Sequence, residues 1–169
     1  MRGALAGLLT AALLVADPGA DDGTPDAVAV VAVTGPDAET VVAWVGDCRA
    51  YAFDGQALRQ YTTDHTVGQQ LRQSGGIPLE VAESHDHWLR VSLSRATPAT
   101  AYEVVLPAGE LVLLTSDGVH DQVAHAVLEA LVRDHHADPQ ALADALVAAA
   151  EADEGGTRDD ATAVILAAR

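Results

Sequence analysis

Four aspartates stand where an apolar run meets a turn. Asp47 follows Glu39–Val45 (ETVVAWV), Asp117 follows Glu110–Ser116 (ELVLLTS), and Asp121 lies four residues on, where the chain turns toward helix. Asp159 stands just before Ala161–Ala167 (ATAVILA). Carboxylates beyond the ends of apolar strands lie at the rim of a sheet, where several can converge. Gathered there unpaired, they repel and raise one another's pKa unless a hard cation sits between them. Oxygen-only donors suit magnesium, manganese or calcium rather than zinc or copper. A local reading also holds: Asp at strand ends serves as turn former and helix cap. Residue types and spacing leave both open.

Other chemically capable side chains give less. His120, between Asp117 and Asp121, reads as an exposed turn residue, because hard cations prefer oxygen. His85, His87, His135 and His136 lie in polar stretches and carry no assigned role. Cys48, the one cysteine, excludes an intrachain disulfide and any multi-thiolate zinc site. Its place beside a strand predicts a buried, inert thiol.

The elements that must position these residues alternate in kind. Ala27–Val33 (AVAVVAV) predicts a buried strand, and Glu39–Val45 a second one after the Gly35-Pro36-Asp37 turn. Arg49–Phe53 and Ala57–Tyr61 flank Asp54-Gly55, a strong hairpin signal. Thr66–Gln73 predicts a helix closed by Gly75-Gly76, Pro78–Ser84 another, and Arg90–Ser94 a short strand. Tyr102–Leu106 and Glu110–Ser116 are strands joined by the Pro107–Gly109 turn, and Gln122–Arg133 is a helix. Asp138-Pro139 opens a helix to about Ala152, Glu154–Thr157 is a loop, and Ala161–Ala167 closes as a strand. Hairpin connections with helices between them predict α+β rather than a parallel βαβ sheet. At the start, Gly3–Ala16 (GALAGLLTAALLVA) carries Leu5, Leu8, Leu9, Ala12 and Leu13 on one helical stripe. That favours a core helix over a secretory signal peptide, the other reading of Met1-Arg2 followed by an apolar stretch.

Composition narrows the function classes. The chain has 169 residues, suited to one domain, with nine Arg, no Lys and twenty-five acidic residues, for a net charge of −16. A surface this acidic repels phosphate backbones and anionic lipid, which excludes nucleic-acid binding and electrostatic membrane docking. At 49% hydrophobic residues the chain is no disordered acidic tail.

Five segments in order resemble the metal-dependent serine/threonine protein phosphatases of the PPM, or PP2C-like, family. They are Gly46-Asp47-Cys48-Arg49-Ala50-Tyr51 (family GDSRAY), Thr63-Asp64-His65-Thr66 (TxDHS), Arg90–Ala96 (RVSLSRA, NVLTRAL), Leu113–Asp121 (LLTSDGVHD, LLCSDGLxD) and Gly156–Val164 (GTRDDATAV, GxRDNxTVV). The resemblance spans roughly residues 27–168 and implies an α-β-β-α sandwich of two antiparallel sheets. It further implies Mn2+ or Mg2+ held by aspartates, and hydrolysis of phosphoserine and phosphothreonine on proteins by a metal-bound water. Carried over by position, Asp117 and Asp159 match ligands of a core metal. Asp117 with Asp47 and Asp121 match a more weakly held third site, and Arg49 matches a structural ion-pair partner.

The sequence also departs from the family. Neither the acidic RxxNED-like segment nor the DGMGG strand end is found in residues 1–45; Asp21-Asp22-Gly23 and Asp26 are candidates by composition only. Cys48 replaces Ser, and Asp160 replaces the usual Asn. The expectation is one partial PPM-type domain over 1–169, lacking the first strands and half of the core metal site, with little activity of its own. A sheet short of two strands would leave an edge open. The expected partner is a phosphorylated protein substrate in the cytoplasm. The alternative is a non-catalytic relative that docks a regulatory protein such as a kinase or an anti-sigma factor. A secreted divalent-ion binder follows only if residues 1–16 are a signal.

Overall fold

The computed structural model describes residues 3–16, 24–35, 39–150 and 159–168. In chain order the elements are α1 (Ala4–Val15), β1 (Ala29–Thr34), β2 (Thr40–Val45), β3 (Arg49–Phe53) and β4 (Leu58–Gln60). Then come α2 (Val67–Ser74), α3 (Leu79–Glu83), a 3-10 turn (Leu93–Arg95), β5 (Tyr102–Leu106) and β6 (Leu111–Thr115). The series ends with α4 (Asp117–His120), α5 (His125–His135), α6 (Pro139–Ala149) and β7 (Ala163–Leu166). The strands form two antiparallel sheets, ordered β1-β2-β5 and β4-β3-β6-β7, so the fold is α+β as the hairpin connections predict. No helix among the described residues is long and apolar enough to cross a membrane.

The chain forms two compact units. The first comprises Met1–Val33, Val41–Cys48 and Thr63–Val104. Its core gathers Ala4 and Leu8 of α1, Ala43 and Val45 of β2, and Ala101, with Leu5 and Leu9 packed alongside. Leu8 is fully buried, worth about 1.5–3 kcal/mol against leaving it in water. The α1 stripe is narrower than the sequence predicts: Ala4, Leu8 and Ala12 are buried, while Leu13 is 79% exposed. Likewise β1 is half-buried throughout rather than buried, as befits an edge strand. Thr66 caps α2 by accepting the Gln69 N–H, and Gly75 ends the helix with φ +69°. The strand predicted over Arg90–Ser94 is corrected. An isolated bridge joins Thr66 to Leu89 just before this span, and the 3-10 turn takes its end. Asp26 explains the turn: its carboxylate accepts from the Ser94 N–H and hydroxyl, bending the backbone where a ladder would have run straight.

The second unit comprises Thr34–Thr40, Arg49–Thr62 and Val105–Arg169. Its four-stranded sheet is antiparallel throughout, with β3 set between β4 and β6 and β6 between β3 and β7; Tyr51 pairs with Leu113, and Leu113 with Ile165. All five residues of β6 are buried. Leu128 and Val132 of α5 and Leu142 and Leu146 of α6 cover Tyr51, Phe53, Leu111 and Leu113. The β3–β4 hairpin turns at Gly55, φ +91°, where Asp54 Oδ1 accepts the Gln56 and Ala57 N–H groups. Asp138 caps α6 as predicted, accepting from Gln140 and Ala141 with Pro139 in the first turn.

Candidate functional site

The backbone brings Asp117 and Asp159 onto segments tied to one another. β6 ends at Thr115, Ser116 stands at the N-cap position, and Asp117 begins the four-residue helix α4. Ser116 N–H donates to Thr162 O at 3.0 Å. The Ser116 hydroxyl donates to Asp160 O at 3.2 Å and accepts the Thr162 N–H at 3.0 Å. The approach is close enough that a Cβ on Gly118 would lie 2.6 Å from Asp160 O, so only glycine fits. Asp117 is half-buried and its Oδ1 accepts the Gly118 N–H at 2.9 Å; Asp159 is exposed and its Oδ1 accepts the Asp160 N–H at 2.8 Å. Sequence reasoning missed the Ser116 clasp, whose only local signal is a hydroxyl before Asp117.

Asp121 ends α4, its N–H donating to Asp117 O at 2.9 Å, and its Oδ1 stands 3.9 Å from His120 Nε2. His120 corrects the expectation of an exposed turn residue: it is buried, and its Nδ1 shares a 2.7 Å hydrogen bond with the buried Thr115 hydroxyl. Burial, with the Arg49 charge adding to it, holds His120 down to about 3. The ring is therefore neutral at pH 7, and its approach to Asp121 is no ion pair.

In the first unit, Asp47 is half-buried in the turn after β2. The preceding Gly46 has φ +94°, and a Cβ there would sit 2.2 Å from the Val28 side chain. Gly46 N–H donates to His65 Nδ1 at 3.1 Å, and His65 N–H donates to Gly46 O at 3.0 Å. Cys48 is half-buried, not buried as predicted, because it lies past the end of β2 in the same turn.

These carboxylates match a hard divalent cation in kind, being oxygen donors only. They do not match one in number. Among the described residues no three His, Cys, Asp or Glu side chains are grouped so as to hold a metal ion. Asp21, Asp22 and Gly23, the compositional candidates for a missing ligand, lie outside the described residues.

Comparison with known proteins supplies the remaining observation. Residues 45–169 match the family model described as Stage II sporulation protein E (SpoIIE). The chain is 29% identical over 108 residues to the serine/threonine phosphatase stp of Listeria innocua, across 62% of this chain and 43% of that protein. It thus spans less than half the length of that curated relative. The crystal structure of the Mycobacterium tuberculosis serine/threonine phosphatase PstP/Ppp superposes with a TM-score of 0.69 at 26% identity, over 95% of this chain and 67% of that one. The catalytic domain of a serine/threonine protein phosphatase PstP in complex with two manganese ions has the same fold, with a TM-score of 0.63 at 22% identity, over 95% and 79% of the two chains.

Proposed function

Because the chain belongs to the PPM/PP2C-type phosphatase family, we propose that it serves in metal-dependent hydrolysis of phosphoserine and phosphothreonine on proteins. In this reading Asp117 and Asp159 contribute oxygens to a core Mn2+ or Mg2+. Asp121, at the end of the helix that Asp117 begins, contributes to a further, weaker site, and Asp47 is assigned as a metal ligand in its own right. The substrate is a phosphorylated protein, met in the cytoplasm. The observation that carries the reading is the Ser116 clasp, which joins the segments of Asp117 and Asp159 at the end of β6.

The described residues do not complete a metal site by themselves, and no catalytic step is assigned to them. Two carboxylates hold Mg2+ poorly, since that ion keeps its waters unless several ligands compete. The expected behaviour of this chain is therefore weak Mn2+ binding and slow turnover. The test is phosphate release from a phosphothreonine peptide with Mn2+ or Mg2+, comparing the chain with Asp117→Asn. Slow release that needs the metal and vanishes in the variant supports the reading. Metal-independent release, or release untouched by Asp117→Asn, refutes the assignment. Tight phosphopeptide binding with no metal-dependent release would assign the chain to binding instead.

A further inference from the structure

We propose that His65 is a positioning residue for Asp47, its ring fixing, through Gly46, the turn that carries this carboxylate. The inference rests on the reading of Asp47 as a metal ligand and adds the group that would hold it in place. Gly46 has no side chain to pack, and its φ of +94° is one that a side-chain-bearing residue rarely adopts. Backbone hydrogen bonds help to hold the turn. His65 holds it from both sides, Nδ1 accepting the Gly46 N–H at 3.1 Å while the His65 N–H donates to Gly46 O at 3.0 Å.

The ring is itself immobilised. It stacks against Trp44 with centroids 6.1 Å apart and meets the edge of Tyr102 at 5.0 Å. The Trp44 indole N–H donates to Thr63 O at 2.9 Å, and the Arg90 N–H to His65 O at 2.8 Å, so the backbone around residue 65 is tied to β2 and to the 90s segment. An accepting Nδ1 places the ring proton on Nε2, a buried nitrogen with no hydrogen-bond partner among the described residues. Burial, and then the Arg90 charge, hold the ring below its ordinary pKa against the pull of Asp64.

Two variants separate holding from filling. His65→Asn puts an amide oxygen close to the position of Nδ1; His65→Phe keeps a ring and removes the acceptor. Amide exchange and Mn2+-induced line broadening would be read by NMR on the whole chain. Exchange of Gly46 should quicken about fivefold to tenfold in His65→Phe, the worth of one hydrogen bond, and return near the unsubstituted rate in His65→Asn. Broadening at Asp47 by Mn2+ alone should weaken in His65→Phe and recover in His65→Asn. Gly46 exchange unchanged in His65→Phe, or equally fast in both variants, overturns the proposal. So does a nitrogen-15 spectrum of the unsubstituted chain placing the His65 proton on Nδ1, a measurement that stands even if His65→Phe does not fold. Broadening at Asp47 that persists unweakened in His65→Phe removes the positioning role and leaves the ligand reading standing. No broadening at Asp47 in the unsubstituted chain, with the exchange pattern intact, refutes the ligand reading and, with it, any role for His65 toward the metal.

Discussion

Replacing Gly118 by alanine is the sharpest test of how the Asp117 and Asp159 segments are joined. The new Cβ would lie 2.6 Å from Asp160 O, 2.9 Å from Asp160 C and 3.2 Å from Ala161 N. All three are backbone atoms, so no flexible side chain can yield. Restoring ordinary contact moves the segment away by roughly 1 Å, which carries the 3.0–3.2 Å hydrogen bonds of Ser116 beyond useful range. Overpacking costs about 1–3 kcal/mol, and one or two lost hydrogen bonds add about 1 kcal/mol each. Alanine returns about 0.5–1 kcal/mol through chain entropy. The net expectation is a loss of about 1–4.5 kcal/mol, or a fall in Tm of roughly 2–18 °C for a chain this size. Gly7→Ala is the matched control. Gly7 lies within α1, and a Cβ there meets nothing within 4 Å, so that variant should gain about 0.5–1 kcal/mol. Urea unfolding followed by far-UV circular dichroism measures both. A Gly118→Ala chain within about 0.5 kcal/mol of the unsubstituted one would refute the close approach.

Three other outcomes follow from packing and charge. Desolvation works against ionisation of the exposed Asp26 carboxyl, but hydrogen bonds from the Ser92 and Ser94 hydroxyls and the Ala27 and Ser94 N–H groups hold it well below the usual range. Its stabilisation is complete above the ordinary value of 3.8 and is lost as pH falls through the lower folded one, so protection of the Ser94 amide should fail in acid, and Asp26→Asn should abolish that pH dependence. Thr115→Val keeps the branched shape but leaves His120 Nδ1 buried without its partner, an expected loss of about 1–3 kcal/mol in urea unfolding. Leu146→Ala, at a fully buried position of α6, should cost about 2–5 kcal/mol, whereas Leu14→Ala, 83% exposed, should change stability by less than about 0.5 kcal/mol in the same assay.

Much of the fold was legible because short apolar runs bounded by turn residues have few alternatives. Tyr102–Leu106 is a strand over the predicted span, Asp54-Gly55 makes its hairpin, and Asp138-Pro139 opens its helix. The failures are tertiary. RVSLS has the look of a strand, but Asp26, far away in sequence, captures Ser94 and winds the segment into a 3-10 turn. His120 reads as polar and exposed because nothing local reveals that α4 turns its ring toward Thr115. Leu13 continues the apolar stripe of α1 yet stays exposed. For the site, the motif segments single out aspartates by resemblance alone. They carry no trace of the long-range contacts beside them: the Ser116 hydroxyl meets Thr162 across 46 residues and the His65 ring meets Gly46 across 19, distances over which spacing carries no signal.

The placement of β6 bears on how the molecule is made. Its five buried residues pair on one flank with β3, already synthesised, but on the other with β7, which emerges only after α5 and α6. During translation an aliphatic strand therefore waits with one row of peptide groups unmatched, a template for any extended segment nearby. Crowding of nascent copies, rather than instability of the finished protein, is then the stage at which yield of this chain would be lost.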